Sequence, residues 1–158
     1  MKAIETALSL TQAYKLGIER FEKMLGNEFA KAVESMNNSS THIIVCGMGK
    51  SGLVGRKISS TLASTGTPSI FLHPAEAIHG DLGKVQKNSV VLLISYSGET
   101  GEIIALIPAF KRLDVNIIAL TGVKNSTLAN ISDIILDTSV DREACPLNLA
   151  PTTSTMIT

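Results

Sequence analysis

Two rhythms of apolar residues divide the chain. Apolar positions recur at Ile4, Ala7, Leu8, Thr11, Tyr14, Ile18, Phe21 and Leu25, in steps of three and four. Those steps place them on one face of a long amphipathic helix, because an α-helix turns once in 3.6 residues. Gly26-Asn27 reads as its C-cap, and a second short helix, Glu28 to Met36, ends at the polar turn Asn37-Asn38-Ser39-Ser40. Residues 1–40 therefore read as a helical arm.

Beyond residue 40 the rhythm changes to short runs of branched aliphatics: His42 to Cys46, Ser69 to Leu72, Ser89 to Ile94, Asn116 to Leu120 and Asp133 to Leu136. Runs that lack polar alternation read as strands covered on both faces. Helical segments fall between them at Leu53 to Ser64, Thr100 to Leu113 and Thr127 to Ile131, with a short one at Ala75 to His79. Alternating strands and helices predict parallel strands joined by right-handed crossovers. The expected fold is α/β, a doubly wound three-layer α/β/α sandwich on a five-stranded parallel sheet. Residues 1–158 form one domain, with 41–158 as its core and no linker or internal repeat.

Composition narrows the function. The 158 residues are 44% hydrophobic, enough for one core, and carry 14 basic against 14 acidic side chains. Zero net charge leaves no general footprint for nucleic acid or anionic lipid. Two cysteines, Cys46 and Cys145, make no disulfide framework. The first residues have no apolar signal region, and no apolar run reaches the roughly 18 residues of a membrane span. These features predict a soluble, cytoplasmic protein whose partners are small molecules or other subunits.

In open parallel sheets, ligands bind beyond the carboxyl ends of the strands. Two strand-to-helix loops are informative there. Ser95-Tyr96-Ser97-Gly98-Glu99-Thr100-Gly101-Glu102 concentrates small hydroxyls and glycines where a helix begins, so backbone N–H groups and the hydroxyls of Ser95, Ser97 and Thr100 can converge on one anion. A single such hydroxyl is usually just a cap or a turn residue, but three interleaved with two glycines favour a phosphate cradle. The other loop, Gly47-Met48-Gly49-Lys50-Ser51-Gly52, matches G-x-G-x-x-G. A dinucleotide site also needs an acid at the end of the second strand, and Phe71-Leu72-His73-Pro74 has none. A Walker A loop needs a glycine where Ile44 stands. What remains is a tight turn that presents Lys50 and Ser51, with the Gly49 backbone, to whatever the other loop binds. His79-Gly80-Asp81-Leu82-Gly83 and Asp141-Arg142-Glu143-Ala144-Cys145-Pro146 also follow strands. A lone His or a loop Glu is more often structural than catalytic; the carboxyl-edge position raises both.

Together these segments, with Ala-Ser-Thr-Gly-Thr-Pro at 63–68 and Glu-Ala-Cys-Pro-Leu-Asn-Leu-Ala-Pro-Thr at 143–152, resemble the SIS domain of arabinose 5-phosphate isomerases from about residue 42 onward. The resemblance implies interconversion of D-ribulose 5-phosphate and D-arabinose 5-phosphate, the entry to 3-deoxy-D-manno-octulosonate and lipopolysaccharide. It implies that no redox cofactor is needed and that the protein is a homotetramer; no metal and, from composition, no nucleic-acid or membrane partner is expected. It also implies catalytic roles for Lys50, Glu102 and Glu143. The family uses a histidine further downstream, in a Ser-His-Pro-Gly-Gly stretch, and a pair of CBS domains often follows; Pro151 to Thr158, with proline and hydroxyl residues suited to a helix start, is expected to open a helix that continues.

Aldose–ketose isomerisation through an enediolate needs a base for the carbon acid and help for the oxygen charge. Glu143 is the expected base, Lys50 stabilises developing charge or the phosphate, and Glu102 positions a hydroxyl or pairs with Lys50. Ser51, Ser95, Ser97 and Thr100 hold the phosphate, and His79 serves ring opening or hydroxyl transfer. Two alternatives stay open: a non-catalytic SIS module that senses a sugar phosphate, and an SIS isomerase for another ketose phosphate.

Overall fold

The computed structural model describes residues 2–158. Two helices, α1 (Lys2–Met24) and α2 (Asn27–Asn37), precede the core. The core then runs β1 (Ile43–Gly47), α3 (Gly49–Ser64), β2 (Ser69–Leu72), α4 (Pro74–Ile78), a 3-10 turn (Asp81–Lys84), β3 (Val90–Ile94), α5 (Gly101–Ile104), α6 (Ile107–Arg112), β4 (Asn116–Thr121), α7 (Thr127–Ile131), β5 (Ile134–Asp137) and α8 (Thr153–Ile157). All pairings are parallel, in the order β2-β1-β3-β4-β5. The α/β sandwich expected from the alternating pattern is the fold observed.

Burial explains why the strands read as continuous apolar runs. β1 and β3 are buried at every position, whereas the edge strands β2 and β5 are half-covered. One face of the sheet packs Ile44, Cys46, Val91 and Leu93 with Ile103, Phe110 and Leu128. The other packs Val45, Leu92, Ile94 and Ile118 with Ala32 of α2 and Ile58 and Leu62 of α3.

Three elements depart from the sequence reading. Helix α3 begins at Gly49, not Leu53, so Lys50 and Ser51 lie in its first turn. Its glycines serve contact with the sheet: a Cβ on Gly52 would stand 2.7 Å from the Gly47 carbonyl oxygen. The single helix expected over Thr100 to Leu113 is two, because Pro108 near the start of α6 has no N–H to donate to the preceding turn. Helix α1 keeps the expected apolar stripe, of which the sheet layer covers little: its buried residues are Ala13 and Gly17, while Ile4, Leu8, Leu16, Ile18 and Leu25 are exposed. Gly26 is not a left-handed cap; its φ of −163° is extended backbone that leads into α2. Among the described residues, no helix is long and apolar enough to cross a membrane.

Candidate functional site

The order of the strands fixes where a ligand can sit. From β1 the chain crosses to β2 on one side and later returns to β3 on the other, so the loops after β1 and β3 diverge and leave a crevice between them. The register pairs Gly47 with Ile94, so both loops leave the sheet at the same level.

Both loops run into helices whose starts lack a side-chain cap. The first N–H groups of a helix have no partner within it and carry partial positive charge, which suits them to an anion. Lys50 and Ser51 stand on the first turn of α3, and Thr100 is the residue that enters α5. The hydroxyls of Ser95 and Thr100 are 2.7 Å apart, and Ser95 Oγ also accepts the Gly98 N–H at 3.1 Å. Ser97 Oγ accepts the Glu99 N–H at 3.2 Å, and Ser97 is exposed at the loop tip. The predicted phosphate residues thus occupy two adjacent loops of one crevice.

The predicted acids and bases are placed differently. Lys50 is exposed and forms no ion pair among the described residues, so the pairing expected with Glu102 is not formed. Glu102 is partly exposed in the first turn of α5, and its carboxylate accepts no hydrogen bond among the described residues. His79 is exposed at the end of α4, a helix that packs against α5.

Glu143 is the best-anchored acid of the molecule. Its Oε2 accepts from Thr152 N at 2.7 Å, Thr152 Oγ1 at 3.1 Å and Ser154 N at 3.2 Å, and its Oε1 accepts from Ser154 Oγ. Burial raises its affinity for a proton, but the bonds from Ser154 and Thr152 outweigh burial and hold the carboxyl below the usual glutamate range. Glu143, the base expected from the sequence, is thus a carboxylate that closes the start of α8. Ser154 in turn lines a small cavity of about 20 Å³ with Ser51, Ile94, Tyr96 and Thr155, which brings α8 to the crevice.

Helix α1 braces this outer wall. Arg20 donates to Asp141 at 2.6 Å and to Ser139 at 2.9 Å, and Thr153 Oγ1 accepts the Ala144 N–H at 2.9 Å while packing on Gly17.

Sequence reasoning passed over Tyr96, whose hydroxyl accepts the Val140 N–H at 3.3 Å, and His73, whose Nδ1 is buried without a partner. A tyrosine between two loop serines is a visible signal; His73 carries none beyond its place at the end of β2. Among the described residues, no three His, Cys, Asp or Glu side chains cluster as a metal site.

Comparison with known proteins gives this crevice its family. A model described as "SIS domain" matches residues 35–158. The chain is 54% identical over 134 residues to the arabinose 5-phosphate isomerase KdsD of Pseudomonas aeruginosa, covering 85% of this chain and 41% of that protein. It is 51% identical over 142 residues to the arabinose 5-phosphate isomerase KpsF of Escherichia coli O6:H1, covering 89% and 43%. The chain thus spans about two-fifths of the length of these curated relatives. A solved Escherichia coli CFT073 structure in complex with arabinose 5-phosphate superposes with a TM-score of 0.88 at 37% identity, covering 99% of this chain and 83% of that one. With its model matched along most of the length and the parallel sheet in place, the chain belongs to the SIS domain family.

Proposed function

We propose that this chain forms the catalytic domain of an aldose–ketose isomerase that interconverts D-arabinose 5-phosphate and D-ribulose 5-phosphate. The observation that carries the reading is the pair of uncapped helix starts at the switch point of the sheet, furnished with Lys50 and Ser51 on one side and Ser95, Ser97 and Thr100 on the other. Relatives that are about half identical to this chain over the matched stretch bear this activity in their names, which supports it.

The phosphate is held by the N–H groups at the starts of α3 and α5, including Gly49, together with the hydroxyls of Ser51, Ser95, Ser97 and Thr100. That anchorage fixes the distance from the phosphate to C1 and C2 of the open-chain sugar. A carboxylate removes the C2 proton of the aldose, and the electron pair forms the C1–C2 double bond while the C1 oxygen gains a proton. Reprotonation at C1 and loss of the O2 proton then give the ketose. Glu102 is assigned as this base, because its carboxylate is free while that of Glu143 is occupied by four donors. Lys50 offsets the charge that develops on oxygen, and His79 opens the ring or carries a hydroxyl proton. The product feeds 3-deoxy-D-manno-octulosonate synthesis for lipopolysaccharide in the cytoplasm. A homotetramer belongs to the same reading, supported by the exposed apolar residues of α1.

The test is incubation with ribulose 5-phosphate in deuterated water. Arabinose 5-phosphate labelled at C2 is expected, and exchange without arabinose 5-phosphate would point to a different sugar. Saturable binding of the ester with neither exchange nor product would favour a sensing module.

A further inference from the structure

The phosphate reading leaves Glu99 without a task, although it stands between Ser97 and Thr100. A carboxylate beside a bound phosphate is unfavourable unless its charge is turned away and met elsewhere. Here Glu99 Oε1 accepts the N–H of Thr127, the first residue of α7, at 2.6 Å. The next N–H, of Leu128, donates to the Gly98 carbonyl at 3.1 Å. The third and fourth, of Ala129 and Asn130, donate to the side chain and carbonyl of Ser126 at 3.3 and 3.0 Å. The Asn130 bond is the first within the helix, and Ser126 N donates to the Val123 carbonyl at 3.2 Å, so the four N–H groups that the helix start leaves unpaired, of Ser126 to Ala129, are all satisfied, two of them by the phosphate loop.

The loop is seated on this helix start sterically as well. Gly98 has φ +67°, and a Cβ there would lie 2.0 Å from Ser126 Oγ, so only glycine allows the approach. One turn earlier, the Tyr96 carbonyl accepts from Gly122 N at 2.9 Å and from Thr121 Oγ1 at 3.2 Å. Tyr96, Gly98 and Glu99 thus bind the loop to the β4–α7 connection along one edge, while Ser97 stays exposed.

We propose that Glu99 is a positioning residue for the substrate phosphate, clamping the loop onto the start of α7 so that Ser97 and Thr100 are preset for the anion. The proposal rests on the phosphate reading of the loop, so its test has one arm that requires no ligand.

In the 158-residue chain, Glu99→Ala and Glu99→Gln are compared with wild type by amide hydrogen exchange and by titration with arabinose 5-phosphate followed in amide NMR spectra. Glu99→Ala is expected to speed exchange of the Thr127 and Leu128 amides and to raise the Kd about three- to tenfold, the effect of losing one charge-assisted hydrogen bond. Glu99→Gln keeps an oxygen acceptor and is expected to recover most of both. In turnover the loss falls on KM more than on kcat, since the clamp acts on the bound phosphate and not on the reacting carbons.

Unchanged exchange at Thr127 and Leu128 in Glu99→Ala overturns the clamp, whether or not the ester binds. Faster exchange with unchanged Kd overturns its role in phosphate positioning, and so does a glutamine variant as weak as the alanine one. Failure of wild type to bind any sugar phosphate, with the exchange effect present, refutes the phosphate reading while leaving the clamp intact.

Discussion

Replacing Glu143 by glutamine separates an anchor from a base. The side chain keeps its shape but loses its charge, and one acceptor oxygen becomes an NH2 group. Three donors converge on Oε2 and a fourth meets Oε1, so glutamine can serve one cluster and must turn a donor toward the other. Charge-assisted hydrogen bonds are roughly twice as strong as neutral ones, and an anion at a helix start contributes about 0.3–1 kcal/mol more. With partial solvent screening, Glu143→Gln is expected to cost about 1–2 kcal/mol. For a domain of this size that is a fall in Tm of roughly 2–8 °C at neutral pH.

The pH dependence has a definite sign. The folded carboxyl is held below its ordinary value, so its ionised form is favoured by folding. The contribution is complete above the ordinary glutamate range and is lost as pH falls through the depressed folded value. Thermal unfolding by circular dichroism, run at pH 7 and stepwise down to about pH 3, should show wild type and Glu143→Gln converging in acid. Equal Tm values at pH 7, or a gap that persists undiminished in acid, would refute the anchor. A base that is not anchored predicts that first outcome, together with complete loss of turnover.

Other expectations follow from the same geometry. Glu102→Gln should lower turnover by about 10²–10⁴-fold, the usual contribution of an acid–base group, while the ester's Kd stays within a few-fold; near-normal deuterium exchange at C2 in this variant would return the base assignment to Glu143. Gly17→Ala places a Cβ 2.4 Å from Thr153 Cγ2, and Thr153 is fully buried with its hydroxyl engaged, so overpacking should cost about 1–3 kcal/mol in chemical denaturation. Full stability would show that α1 does not press on α8. The Cys145 thiol is drawn below the usual range by N–H groups of Ala150, Leu149, Leu147 and Asn148, whereas burial pushes Cys46 up to about 12. Iodoacetamide followed by peptide mass spectrometry should therefore label Cys145 in the native state and spare Cys46.

The fold was legible because strand and helix differ in period and because this sheet is covered on both faces. Strand limits shifted by at most one residue at either end, as at β1 and β5, where hydrogen bonding and not hydrophobicity sets the last residue. What stayed hidden was non-local. Nothing near Glu143 in sequence shows that residues nine and eleven positions later will donate to it, and the pattern of α1 identifies an apolar face without saying which part meets the core. The two candidate loops stood out because their glycines and hydroxyls are neighbours in sequence, while the role proposed for Glu99 depends on α7, which begins 28 residues further along.

The pairing of Gly47 with Ile94 sets a dimension that side chains cannot revise. Adjacent strands stand about 4.8 Å apart wherever they are hydrogen-bonded, so the loops that follow β1 and β3 start from a fixed separation. In the proposed function the fit for a phosphate group is thereby written into backbone spacing, as in a gauge block, and point substitutions in the loops change the strength of the grip but not its span. A change of substrate within this frame has to come from residues that read the far end of the sugar.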